Sequence, residues 1–221
     1  NMESAFVGTP KGVLANCSGL RVSIGPFSQR LFNQLPLRGH IPLDVPGLTA
    51  WIEKAIELLT TLDPSAACFV RDWCSLVVWV APDASFPPDT VLTSVAIPTL
   101  PHCTLLSVKS LRHIPAKHIY EGASLYALAE NLYHEALHQQ LSATLIFGPP
   151  LLLKSKSCAL PMIDIPWRNA RWELDRVLHA TWVYGNIQRL RRKALSSGHL
   201  LKSEDYLVEV AEHDTKSKVT L

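Results

Sequence analysis

Residues 132–140 read Leu-Tyr-His-Glu-Ala-Leu-His-Gln-Gln, two histidines four apart around a glutamate in an otherwise apolar run. Leu125, Leu128, Ala129, Leu132, Ala136, Leu137, Leu141 and Leu145 recur at spacings of three and four, which predicts a helix over about 122–147. Residues one helical turn apart share a face, so His134 and His138 can both reach one metal ion, with Glu135 near its open coordination position. The bland alternative is a pair of satisfied core or surface histidines. Three ionisable groups inside an apolar helix are costly without a metal or a charged partner, and that favours the metal.

The rest of the chain narrows the class. With 221 residues and a hydrophobic fraction of 48%, there is length and apolar content for one domain with a real core. A net charge of +2, with no aromatic platform among the basic residues, argues against nucleic acid as a partner. Cys17, Cys68, Cys74, Cys103 and Cys158 are odd in number and contain no C-x-x-C pair, as expected of reduced thiols in a cytoplasmic protein. No apolar run reaches membrane-spanning length, so no membrane partner is expected.

Glycine and proline break every candidate element in residues 1–46, which read as an irregular arm with one short helix at 28–34. Trp51, Ile52, Ala55, Ile56, Leu58 and Leu59 mark an amphipathic helix over 50–62, stopped by Asp63-Pro64. Three β-branched runs, 74–81, 90–97 and 103–108, are separated by proline turns and predict a small antiparallel sheet. A zincin-like arrangement would set that sheet beside the motif helix, with an edge strand able to hold an extended peptide. A loop over 151–166 leads to a second long helix at about 172–194. The expected architecture is a mainly helical α+β single domain: the arm 1–46, a metal-binding catalytic domain 47–197 and a polar tail 198–221.

A catalytic metal wants a third protein ligand. The continuation with a histidine ten residues after the first is absent, because position 144 is Thr144. On the second helix His179 shares a face with Trp172, Asp175, Arg176, Trp182 and Val183, whereas Glu173 lies about 120° away from His179 by the 3.6-residue period. His179 is the favoured ligand, Glu173 its competitor, and Asp175 either a ligand or an acceptor for an imidazole N–H.

Tyr133-His134-Glu135-Ala136-Leu137-His138, then Ile165-Pro166-Trp167-Arg168, then Val177-Leu178-His179-Ala180-Thr181-Trp182 stand in order along the chain. Together they resemble the HExxH motif domain of natural-product gene clusters, part of which is similar to iron(II)- and 2-oxoglutarate-dependent peptide β-hydroxylases. The likeness covers about residues 51–193; the family's Arg-Pro pair before the second helix stands here as Arg171-Trp172.

The resemblance implies a non-haem iron(II) site on His134, His138 and His179, with positions left for 2-oxoglutarate and O₂. The distal carboxylate of 2-oxoglutarate calls for a bidentate, permanently charged partner, with Arg168 first, then Arg171 or Arg176. The substrate would be an amino-acid residue, free, in a peptide or on a carrier; hydroxylation or another oxidative outcome both stay open, and no pattern specifies an oligomeric state. The rival is a zinc-dependent metallopeptidase or other hydrolase, in which Glu135 is general base for the attacking water and an edge strand holds the peptide. A metal-free domain binding a peptide or a carrier is the third class.

Overall fold

A computed structural model describes residues 14–23, 33, 39–45, 47–84, 86–87, 92–114, 118–119, 121–148, 161–165 and 170–219. The chain is an α+β single domain, mainly helical, with a mixed sheet. Strands β1 (Leu14–Cys17), β2 (Leu20–Ser23), β3 (His40–Pro42), β4 (Leu76–Pro82), β5 (Ser94–Ala96) and β6 (Cys103–Ser107) form this six-stranded sheet in the order β1-β2-β4-β6-β5, with β3 paired to the far end of β4.

The sheet extends beyond the three expected strands, because the arm supplies β1, β2 and β3. The pairs β2–β4 and β4–β6 are parallel; β5, which lies between β4 and β6 in sequence, crosses to the outer side of β6 and runs antiparallel there. The expected helix over 28–34 lies outside the described residues apart from Asn33.

Two helices make the crossover from β2 to β4, as a parallel pair requires. Helix α1 (Leu48–Leu62) ends where foreseen, but Pro64 then opens a second helix, α2 (Pro64–Trp73). The Asp63 carboxylate accepts the N–H groups of Ser65 and Ala66, and proline suits the first helical position, where its missing N–H would have had no partner anyway. The Asp-Pro pair that stops α1 is therefore also the start signal for α2.

Alternation along β4 divides the core. Val77 and Trp79 face α1, α2 and the motif helix α3 (Leu125–Phe147), while Leu76, Val78 and Val80 face Leu92, Val95, Ile97 and Leu100. Beyond α3 come two short antiparallel ladders, β7 (His113–Ile114) with β8 (His118–Ile119) and β9 (Met162–Ile165) with β10 (Ala170–Glu173). Strand β9 occupies part of the expected 151–166 loop. Helices α4 (Leu174–Ser197) and α5 (Lys202–Val219) complete the fold, and the polar tail is α5: its Val208 and Ala211 are buried with Leu62, Tyr126 and Ala194. Among the described residues, no helix is long and apolar enough to cross a membrane.

Candidate metal centre

Helix α3 starts at Ser124, whose hydroxyl accepts the Ala127 N–H at 3.0 Å and donates to Glu204 of α5. Unlike an ordinary amphipathic helix it is buried over most of its circumference, polar residues included: Glu130, Asn131, Glu135 and Gln139 all lie in the interior. Each has a partner. Gln139 donates to the Cys103 carbonyl at 2.8 Å and ties the helix to β6. Asn131 Nδ2 donates to the carbonyls of Ala127, Ser110 and His113 at 2.8, 3.2 and 2.5 Å.

Glu130 sets how α4 lies on α3. Its carboxylate receives Arg191 Nη2 at 2.5 Å and Nε at 3.0 Å, with both side chains at 0% exposure, and Tyr126 Oη donates to it at 2.7 Å. Arg191 Nη1 continues to the Ala211 carbonyl at 2.8 Å and Thr215 Oγ1 at 2.7 Å, so one guanidinium joins α3, α4 and α5. With Val183, Ile187 and Leu190 packed in the same core, the pair holds the two helices together and brings His179 of α4 against the motif histidines.

The three imidazoles touch in sequence. His134 Nε2 lies 2.8 Å from His138 Nε2, and His138 Nδ1 lies 2.6 Å from His179 Nε2. Burial lowers the pKa of all three. For His134 the neighbouring charges of His138 and Arg191 add to it; for His138, pushed down to about 4, His179 adds to it; for His179 the Asp175 carboxylate opposes it. All three are thus neutral donors near pH 7, the form a metal requires.

A metal–nitrogen bond of about 2.1 Å puts two nitrogens bound at a right angle about 3.0 Å apart. The 2.8 Å between His134 Nε2 and His138 Nε2 fits that spacing. His179 meets the opposite ring edge of His138, so among the described residues no three His, Cys, Asp or Glu groups converge on one metal position. A three-histidine site needs these rings re-oriented so that one nitrogen of each, those of His134 and His179 included, faces a common point. His134 Nδ1 is buried without a hydrogen-bond partner among the described residues, so no second group there orients the ring from behind.

A cavity of about 460 Å³ opens before the imidazoles, lined by His134, His138, Leu145, Trp172, Asp175, Arg176, His179, Ala180, Val183 and Tyr184. Arg176 lies in this wall, its guanidinium 4.2 Å above the Trp172 ring. Arg171 instead pairs with Asp164 across the β9–β10 hairpin at 3.1 Å, in solvent, and does not line the cavity. Arg168 and the Pro-Trp-Arg segment lie outside the described residues. Glu173 stands at the N-cap position of α4 without a side-chain capping hydrogen bond, is exposed and does not line the cavity. The Asp175 carboxylate accepts the Arg176 N–H at 2.8 Å and influences His179 by its charge.

Glu135 does not line the cavity either. It is 4% exposed, and its carboxyl faces β5, accepting the Ser94 hydroxyl at 2.6 Å and the Ala96 N–H. Burial raises its pKa to about 7, against the lowering effect of those two hydrogen bonds. Nearby, Cys74 and Cys103 are buried thiols whose pKa values burial pushes up, to about 12 for Cys103, which makes them inert.

No family model and no curated protein matches the chain. The case for function therefore rests on the site.

Ser94, Asn131 and the Glu130–Arg191 pair were missed from sequence. The signal for the α3 members was there: Glu130, Asn131 and Glu135 interrupt an apolar run that leaves no face for solvent.

Proposed function

We propose that the protein is a non-haem iron(II)- and 2-oxoglutarate-dependent oxygenase that hydroxylates an amino-acid residue, free, peptide-borne or carrier-bound. The observation that carries this reading is the composition of one cavity: three neutral imidazoles share it with the Arg176 guanidinium, and Glu135 is outside it. His134, His138 and His179 would hold the metal. Bound iron(II) with 2-oxoglutarate supplies oxidative decarboxylation to succinate and CO₂ and the activation of O₂ for attack on a C–H bond.

The protein's own part is binding, orientation and exclusion of water. Arg176, permanently charged and stacked on Trp172, is suited to two parallel N–H bonds to the distal carboxylate of 2-oxoglutarate. Leu145, Ala180 and Val183 give the cavity apolar walls, and Trp172 and Tyr184 bound the space left for the substrate residue.

A zinc hydrolase is the second reading, favoured by the antiparallel edge strand beside the motif helix and by a Glu135 pKa of about 7, in the range of a general base. Two facts weigh against it. The carboxyl faces β5, and it occupies the Ala96 N–H of the strand that would hold a peptide.

Anaerobic titration of metal-free protein with Fe(II) and then 2-oxoglutarate tests the choice. The oxygenase reading expects the weak visible band of an iron(II)–2-oxoacid chelate, lost in His179→Ala. Absence of the band together with tight Zn(II) binding would favour the hydrolase.

A further inference from the structure

The glutamate between the two histidines has no part in the cavity, and its contacts point to a different task. Residues 134 and 135 are about 100° apart around α3, so an imidazole directed to the cavity leaves the next side chain directed to the sheet. There the Glu135 carboxyl accepts the Ser94 hydroxyl at 2.6 Å and the Ala96 N–H. Ser94 Oγ also lies 3.2 Å from Asn131 Oδ1, one helical turn back along α3. Asn131 in turn donates to the carbonyls of Ser110 and His113, beyond the end of β6.

Strand β5 is three residues long and pairs with β6 on one side. Glu135 and Asn131 are the polar grip that α3 has on it. His134 and His138 sit on the same two turns of helix as Glu135, so the roll of α3 about its own axis sets the direction of both imidazoles.

We propose that Glu135 is a positioning residue: through Ser94 and Ala96 it fixes the roll of α3 against β5, and thereby the bearing of His134 and His138, without exchanging a proton with substrate. This rests on the reading of those histidines as metal ligands. It gives Ser94 a place in the site, and it makes Glu135→Gln the conservative change, since the amide keeps an acceptor oxygen with two lone pairs for the Ser94 hydroxyl and the Ala96 N–H.

The test uses the full metal-free chain and Co(II) as probe, reading affinity and the visible ligand-field spectrum for wild type, Glu135→Gln, Glu135→Ala and Ser94→Ala, with thermal unfolding of each metal-free protein alongside. Glu135→Gln should keep the wild-type spectrum with an affinity within about threefold, while Glu135→Ala and Ser94→Ala should bind about 10–100-fold more weakly, with displaced bands, the range usual for loss of a group that orients ligands. Should Glu135→Ala fail to fold, Ser94→Ala carries the same expectation. Loss in Glu135→Gln as large as in Glu135→Ala would overturn the proposal, because the charge itself would then be needed. Wild-type binding in all three variants would overturn it as well. A wild-type protein with no His134-dependent Co(II) spectrum would instead overturn the metal-site reading, and with it the role of Glu135.

Discussion

Glu130→Gln removes one charge from the fully buried pair that joins α3 to α4 while keeping the side chain's size. Arg191 stays protonated under all ordinary conditions, so the variant leaves a buried guanidinium without the Glu130 carboxylate, its partners including the introduced amide, Thr215 Oγ1 and the Ala211 carbonyl. Breaking a buried pair from one side costs about 3–5 kcal/mol, a large share of the roughly 5–15 kcal/mol that holds a domain together. With a urea dependence of about 3 kcal/mol per molar, the midpoint of unfolding should fall by about 1–2 M.

Replacing both partners, as in Glu130→Leu with Arg191→Met, removes the stranded charge. It takes one partner from the Tyr126 and Thr215 hydroxyls and from the Ala211 carbonyl, at about 1 kcal/mol each. The double variant should therefore be more stable than Glu130→Gln by about 1 kcal/mol. Urea unfolding of metal-free protein, followed by circular dichroism, reads both. A midpoint shift below about 0.3 M for Glu130→Gln would refute the reasoning, since the pair would then contribute no more than an exposed one.

Arg176→Ala should raise the concentration of 2-oxoglutarate needed for half-maximal binding about 10–100-fold, the worth of a charged hydrogen-bonding partner. Arg171→Ala, paired with Asp164 in solvent, should change it less than about threefold; isothermal titration of iron-loaded protein distinguishes the two. The pH dependence of stability in metal-free protein carries contributions of opposite sign, a falling one from Glu135 and rising ones from His134, His138 and His179. Between pH 4.5 and about 7 folded Glu135 keeps a proton that the unfolded chain has released, so its contribution falls as pH rises. Between about pH 4 and 6.5 the unfolded chain binds a proton at His138 that the folded chain does not, so that contribution rises with pH. Glu135→Gln deletes the falling one, and its urea midpoint should climb more steeply than wild type from pH 4.5 to 7; parallel profiles would contradict the raised Glu135 pKa.

The helices were legible where one face repeats. The motif helix is observed at Leu125–Phe147 and the second long helix at Leu174–Ser197, because apolar spacing and the terminating Gly148 and Gly198 are local signals. The sheet was legible as strands and not as pairing. Runs 74–81, 90–97 and 103–108 contain most of β4 and all of β5 and β6, but parallel pairing of β4 with β6 depends on β5 crossing to the outer edge, which no local residue states. The arm hid β1, β2 and β3 behind its glycines and prolines, and Asp63-Pro64 served as both stop and start.

At the site, the shared helical face of His134 and His138 was readable from a spacing of four, and their contact with His179 is a matter of how α4 lies on α3. That placement depends on Arg191 and Glu130, two charged residues that composition alone would assign to the surface. The arginines could not be ranked from sequence for a similar reason: Arg171 and Arg176 are five residues apart and both exposed, and the hairpin-to-helix junction at Glu173 leaves the first paired with Asp164 and sets the second in the cavity wall.

The most direct test of the central claim is the Fe(II)-dependent conversion of 2-oxoglutarate to succinate by the full chain in air, followed by proton NMR without added substrate. The account predicts slow succinate formation that requires Fe(II) and O₂, is lost in His179→Ala and persists in Glu135→Gln. No succinate from iron-loaded protein, with amide hydrolysis by the zinc-loaded form that Glu135→Gln abolishes, would contradict it.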